Sequence, residues 1–301
     1  MFSALFLHWQ FRPDVVALLA VFAAAYTVGW LRLRRRAGSE AGRRRMARRL
    51  AAYWGGIGAL ALALLSGVNT LGEQLFWMHM IQHLLLVMVA VPLLWLGNPF
   101  PFVLWGLPYG RKVGGMLFAR NSLFRRALAA LSRPGVAWFL FAANLWGWHD
   151  PQLYSAAQGR EWAHYLQHLL FFATAMLLWW NVIGAAPHLR GSPPLLLRCA
   201  LLVGAAVANM IPGVLIAMAD QPLYSYYVGL GGSWGFSALD DQRLAGLIMW
   251  IPGTMMYLLG VLAVIAALGR KQAGFVSPAS AALPAHPHVA RASPCSPRIP
   301  M

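Results

Sequence analysis

The sequence predicts an all-α fold, a polytopic bundle of membrane helices, and three observations carry that reading. Hydrophobic residues make up 59% of the 301 positions and charged residues only 11%. The apolar residues gather into repeated runs of about 20, the length at which an α-helix crosses a bilayer. Alternating ten-residue strands are absent, which leaves helices as the way to satisfy backbone polar groups in lipid. The third observation is where the charges sit.

Taken in order, the first span is expected over about Val15 to Leu33, with no cleavage pattern after it. Nine arginines then crowd Arg32 to Arg49, a loop that the positive-inside rule assigns to the cytoplasm, so the N-terminus lies outside. Span two covers about Leu50 to Val68, a short outer turn Asn69 to Gln74 follows, and span three covers about Leu75 to Leu96. Pro99, Pro101 and Pro108 are expected to break helix after Gly97. Residues 97–134, with Arg120, Arg125 and Arg126 among Phe and Leu, read as a basic amphipathic segment on the cytoplasmic surface. Anionic lipid headgroups satisfy those charges, so nucleic acid is not invoked.

Span four covers about Val136 to Trp148 and ends outside at His149-Asp150-Pro151. Span five starts near Trp162, span six covers about Leu195 to Ala219, and span seven about Leu244 to Leu268. The outer loop Gln221 to Gln242 is rich in Tyr, Gly and Trp, as an aromatic belt at the membrane surface would be. Residues 1–270 form the membrane domain, and 271–301, rich in Pro, Ala and Ser, are expected to be a disordered cytoplasmic tail. On this seven-span topology 21 of 24 Lys and Arg fall on the cytoplasmic side, and seven of eight acids fall outside. The expected location is the inner membrane of a bacterial cell.

The chemistry lies in a repeated phrase. Trp77-Met78-His79-Met80-Ile81-Gln82-His83-Leu84-Leu85 is echoed by Trp162-Ala163-His164-Tyr165-Leu166-Gln167-His168-Leu169-Leu170, so both read W-x-H-x-x-Q-H-L-L. Residues four apart share a helix face, and each copy therefore offers two stacked imidazoles with a Gln beside them. Ionisable side chains are costly inside a membrane, which makes such a stripe a functional candidate. The plain alternative is polar glue between two helices. Matched depth in spans three and five permits one shared site of His79, His83, His164 and His168.

Accessory candidates are His149, Asp150, Asp240, Asp241 and Met249, with Gln82 and Gln167 orienting the rings. Imidazole suits several transition metals and thioether sulfur favours copper(I), so copper leads, with Met78, Met80, Met210, Met218 and Met249 in the same outer half. Asn209-Met210-Ile211-Pro212-Gly213 and Met249-Trp250-Ile251-Pro252-Gly253 place a proline in each of spans six and seven, and paired kinks there are expected to shape a cavity. The two cysteines, Cys199 and Cys295, suggest neither a disulfide framework nor a thiolate site.

The H-x-x-Q-H pairs, the His149-Asp150-Pro151 corner and Asp240-Asp241-Gln242 running into Gly246-Leu247-Ile248-Met249-Trp250-Ile251-Pro252-Gly253 resemble the caa3-type cytochrome c oxidase assembly factors, the CtaG-like family. The resemblance covers about residues 50 to 268. It implies a non-enzymatic part in maturing a haem-copper oxidase, with copper as cargo. Oxidase subunits, the lipid bilayer and a periplasmic copper chaperone are the implied partners. Two other functions fit the residues: a membrane cytochrome holding haem between histidines of spans three and five, and a metal transporter, which the sparse polar groups of the inner half disfavour.

Overall fold

The computed structural model of the chain describes residues 9–36 and 38–276, all of whose regular structure is helical. His8, His286, His288 and Cys295 lie outside the described residues, as does the tail beyond Val276. The helices in order are α1 (Pro13–Arg34), α2 (Glu40–Leu65), α3 (Gly67–Gly72), then α4, which runs Phe76–Leu96 through a π-helical segment at Leu85–Ala90. After them come α5 (Pro99–Gly106), α6 (Gly110–Leu117), α7 (Leu123–Leu131), α8 (Pro134–Trp148), α9 (Pro151–Gln158), α10 (Glu161–Ile183) and α11 (Leu195–Ala217). The last, α12, begins as Ala238–Ile248, widens into a π-helical turn at Met249–Gly253 and continues as Thr254–Val276. The chain divides into one unit of residues 1–264, which holds the site, and a second of 265–301.

By length and composition five of these helices can cross a membrane: Pro13–Arg34, Phe76–Leu96, Glu161–Ile183, Leu195–Ala217 and Ala238–Ala267. The two remaining stretches expected to span are helical but differ in kind. Helix α2 starts at Glu40, inside the arginine-rich stretch, where Ser39 caps it by accepting from the Gly42 N–H and Glu40 pairs with Arg44. Helix α8 has only 15 residues, roughly 22 Å of rise, and meets α7 at a bend of 71°. Helix α7 itself has no buried residue, as expected for an amphipathic surface segment.

Three local expectations are corrected. Residues 69–72, read as a turn, belong to α3, whose start is capped by Ser66 accepting from the Val68 N–H. The helix does break at Gly97–Asn98 and again around Pro108, but Pro99 and Pro101 themselves begin α5, because the first turn of a helix has no intrahelical use for the N–H that proline lacks. Residues 271–276, assigned to the tail, continue the last helix. Lys271, Gln272 and Ala273 are all good helix formers, which favours the continuation.

Helix α4 is central, packed against α2, α10 and the start of α12. Around it the close contacts are made at glycines. A Cβ built on Gly106 of α5 would lie 1.6 Å from the Ala25 carbonyl oxygen of α1, and one on Gly29 would lie 1.8 Å from that of Phe102. Between α11 and α12, a Cβ on Gly246 would lie 2.5 Å from the Ala217 nitrogen. Backbones this close are the small-residue packing by which helices associate in lipid, where hydrophobicity cannot drive them together.

Gly106→Leu should therefore destabilise the protein by more than the ~1–3 kcal/mol usual for overpacking. Gly115→Ala, with nothing within 4 Å of its Cβ, should be neutral or slightly stabilising. Thermal unfolding of both variants in detergent checks the pair, and equal melting temperatures would refute the contact.

Candidate metal centre

The two repeated phrases face each other across α4 and α10. His79, His83, His164 and His168 are all buried, and His79 has no solvent exposure at all. Ring centroids lie 5.2 Å apart for His79 and His164, 5.4 Å for His79 and His168, and 4.4 Å for His164 and His168. One ring nitrogen from each of His79, His164 and His168 falls within 4.8 Å of the other two, a spacing that can close on one metal ion. The Nε2 atoms of His164 and His168 and the Nδ1 of His79 are buried without a hydrogen-bond partner among the described residues. Buried polar atoms are normally satisfied, so three clustered imidazoles that each leave a buried nitrogen unpartnered mark a candidate ligand position.

His83 stands beside this trio. Its Nε2 lies 2.9 Å from the Nε2 of His79 in a hydrogen bond, and its ring packs on Phe171 at 4.4 Å. His149, from the corner after α8, approaches His83 with ring centroids 6.3 Å apart. Its Nδ1 donates to the Leu145 carbonyl oxygen at 2.7 Å, which leaves Nε2 buried and unpartnered. Burial pushes this imidazole down to about 4, so the ring is uncharged near neutrality. A cavity of about 30 Å³ adjoins the pair, lined by Met80, His83, His149, Asn209, Met249 and Tyr257 among others. A larger apolar cleft, about 240 Å³, reaches His168 from the α1 side between Leu18, Leu60 and Phe172.

The remaining candidates have other uses. The side-chain amide of Gln82 donates to the Ala63 carbonyl oxygen and to Asn69 Oδ1, and Gln167 Oε1 accepts from Gln158 at 3.3 Å. Both glutamines are thus bonded away from the imidazoles and tie neighbouring segments together. Asp150 is exposed and caps α9 by accepting from the N–H groups of Gln152 and Leu153. Asp240 is exposed and bonded to Ser237, whereas Asp241 is fully buried. The two carboxylate oxygens of Asp241 accept from the backbone N–H groups of Phe76 and Trp77, each at 2.9 Å. Those are orphan donors at the start of α4, and the negative charge also suits the positive end of the helix. Asp241 thereby fixes where α4 begins, three residues before His79.

The loop tyrosines, expected to form an aromatic belt at the membrane surface, instead turn inward and roof the site. Tyr224 and Tyr227 of the outer loop are buried, as is Tyr154 of α9. Tyr224 Oη donates to the His149 carbonyl oxygen, Tyr227 Oη donates to that of Gly72, and the hydroxyls of Tyr154 and Tyr227 lie 3.2 Å apart. Phe76 packs among all three tyrosine rings, and Tyr154 lies edge-on to His79. Asn209 was missed. Its side-chain amide donates to the Met249 carbonyl oxygen at 2.7 Å, satisfying a group at the π-helical turn around Pro252, while Pro212 stays inside an unbroken α11. A sequence signal for Asn209 existed, a polar residue three before a proline within an apolar run, but its partner lies 40 positions away.

Removing the Asp241 carboxylate should cost stability and not only ligand binding. Asp241→Asn puts an amide donor against one of two backbone donors, and the unsatisfied N–H is expected to cost about 1–3 kcal/mol. Asp240→Asn, at an exposed position, should melt as the parent does. Melting temperatures in detergent check the contrast, and identical values for both variants would remove Asp241 from its capping role.

The chain is 29% identical over 268 residues to an uncharacterised protein of Mycobacterium bovis and, with the same figures, to one of Mycobacterium tuberculosis. It is 27% identical over 270 residues to an uncharacterised protein of Mycobacterium leprae. These matches take in 87–88% of this chain and 40% of each relative, so the chain spans less than half the length of the curated relatives it matches. No solved structure matches. The sequence model of the cytochrome c oxidase caa3 assembly factor family matches residues 24–271, which include the imidazole cluster, its roof and the α12 motif. The chain belongs to the Caa3_CtaG family of cytochrome c oxidase caa3 assembly factors.

Proposed function

We propose that the chain serves the maturation of a haem-copper oxidase by holding copper(I) at the nest of His79, His164 and His168. The observation that carries this reading is a cluster of three buried imidazoles, with one ring nitrogen of each within 4.8 Å of the others and one nitrogen of each left without a hydrogen-bond partner. Imidazole is a competent ligand for copper(I), and Met80 and Met249, which line the neighbouring cavity at His83 and His149, bring soft thioethers into the same region. The reading is non-enzymatic: the histidines bind and release cargo, and the aromatic roof excludes water from it.

Packing favours an ion over haem. The rings lie directly against one another, and the apolar cleft that reaches His168, about 240 Å³, is smaller than the roughly 300–1,000 Å³ of pockets that hold organic ligands. We further propose seven spans, α2 and α8 included, with the N-terminus, the roof and the His cluster toward the outer face of a bacterial inner membrane. The charge asymmetry supports this orientation. A copper chaperone on that side would be the donor and an oxidase subunit the recipient.

Single His→Ala variants at 164 and 168 should weaken copper(I) binding by more than the ~10- to 100-fold associated with loss of a supporting partner. Competition against a copper(I) chelator measures it, and parental affinity in both variants would return these histidines to polar glue. Deleting the protein should lower oxidase activity without lowering oxidase transcription, most strongly in low copper. A fully active oxidase in the deletion strain would exclude the assembly role. For orientation, a reporter active only in the cytoplasm should be silent at Gly231 and active after Arg270, and the opposite pattern would invert the topology.

A further inference from the structure

The small cavity next to His83 and His149 has features that the three-imidazole nest does not explain. A carbonyl oxygen only accepts, so the 2.7 Å contact of His149 Nδ1 with Leu145 requires the proton on Nδ1. The lone pair of His149 is therefore on Nε2, buried and without a partner. His83 Nδ1 is buried and unpartnered as well. The ring separation of 6.3 Å is one that two metal–nitrogen bonds of about 2 Å can bridge. Met80 and Met249 line the same space, and the cavity volume suits a single ion or water.

Resting on the copper reading above, we propose that this cavity is a second copper(I) position. It is held by His149 Nε2, His83 Nδ1 and the thioethers of Met80 and Met249, and it is linked to the three-imidazole nest through the His79–His83 hydrogen bond. With both rings neutral, each carries one N–H. The ring that donates across the shared 2.9 Å bond keeps its Nδ1 lone pair, and the ring that accepts carries its proton on Nδ1. His79 and His83 therefore offer their Nδ1 lone pairs alternately, never together. Passing the ion from the His79 side to the His83 side is ligand exchange without electron transfer. The exchange takes up a proton at His79 Nδ1, moves one from Nε2 of His79 to Nε2 of His83 and releases one at His83 Nδ1, so each exchange carries one proton in the same direction as the ion. The chain on this account passes copper between two positions instead of storing it at one.

The test uses the full chain in detergent, titrated anaerobically with copper(I), with metal per chain and X-ray absorption as readouts. The double variant His164→Ala/His168→Ala should still bind one copper, now with a sulfur neighbour at about 2.3 Å, the range of metal–sulfur bonds. Adding His149→Ala should abolish that binding, and adding the near-isosteric Met249→Leu should weaken the sulfur signal while melting as the double variant does. If the double variant binds no copper while the parent does, the second position is wrong and the three-imidazole reading stands. Retained copper with nitrogen neighbours alone, or retained after His149→Ala, also overturns it. A parent chain that binds no copper overturns both readings.

Discussion

The Asp241 carboxylate is the interaction on which the rest of the site depends. A helix that begins inside a bundle leaves backbone N–H groups without partners, and in a low-dielectric interior each carries a penalty of a few kcal/mol. Asp241 answers two of them at once, and it reaches from the start of α12 to the start of α4, 165 residues away in sequence for Phe76. That contact sets the phase of α4, and with it the direction in which His79 and His83 point. Leu75 and Phe76, beside the contact, are both essentially fully buried.

A second layer of polar bonds holds the cluster from above. The loop tyrosines close over Phe76 and reach backbone carbonyls at His149 and Gly72, so the roof is attached to α3 and to the α8–α9 corner. Burial pushes the Tyr224 hydroxyl far above its usual range, keeping it a hydrogen-bond donor. Such a roof covers one side of the histidine nest, while the apolar cleft on the α1 side reaches His168. Burial of this kind strengthens electrostatic interactions inside, because little solvent remains to screen them.

Wide helical turns appear in two of the helices that border the small cavity at His83 and His149, at Leu85–Ala90 in α4 and at Met249–Gly253 in α12. Single π-helical turns are uncommon and tend to occur at functional positions, because the extra residue re-aims side chains and frees a carbonyl. In α12 the freed carbonyl of Met249 is taken by Asn209, which brings Met249 to the cavity wall. The glycine contacts allow this: Gly213 lies so near the Trp250 backbone that a Cβ would sit 2.9 Å from its nitrogen.

Much was legible from the chain alone. Hydropathy and length specify membrane helices because lipid leaves the backbone no other solution, and the repeated W-x-H-x-x-Q-H-L-L phrase specifies stacked imidazoles because four residues make about one helical turn. The family motif in α12 was equally visible. What the sequence could not decide was partnership across the bundle. It could not say that His79, His164 and His168 would bring ring nitrogens within 4.8 Å while His83 lay near both His168 and His149, or that Gln82 and Gln167 would bond away from the rings. Nor could it separate Asp241, buried and clamping α4, from exposed Asp240 one residue earlier. Periodicity determines which face of one helix a residue occupies. Which face of another helix meets it depends on close backbone contacts, caps and wide turns between residues far apart in sequence, and only the tertiary structure brings those together.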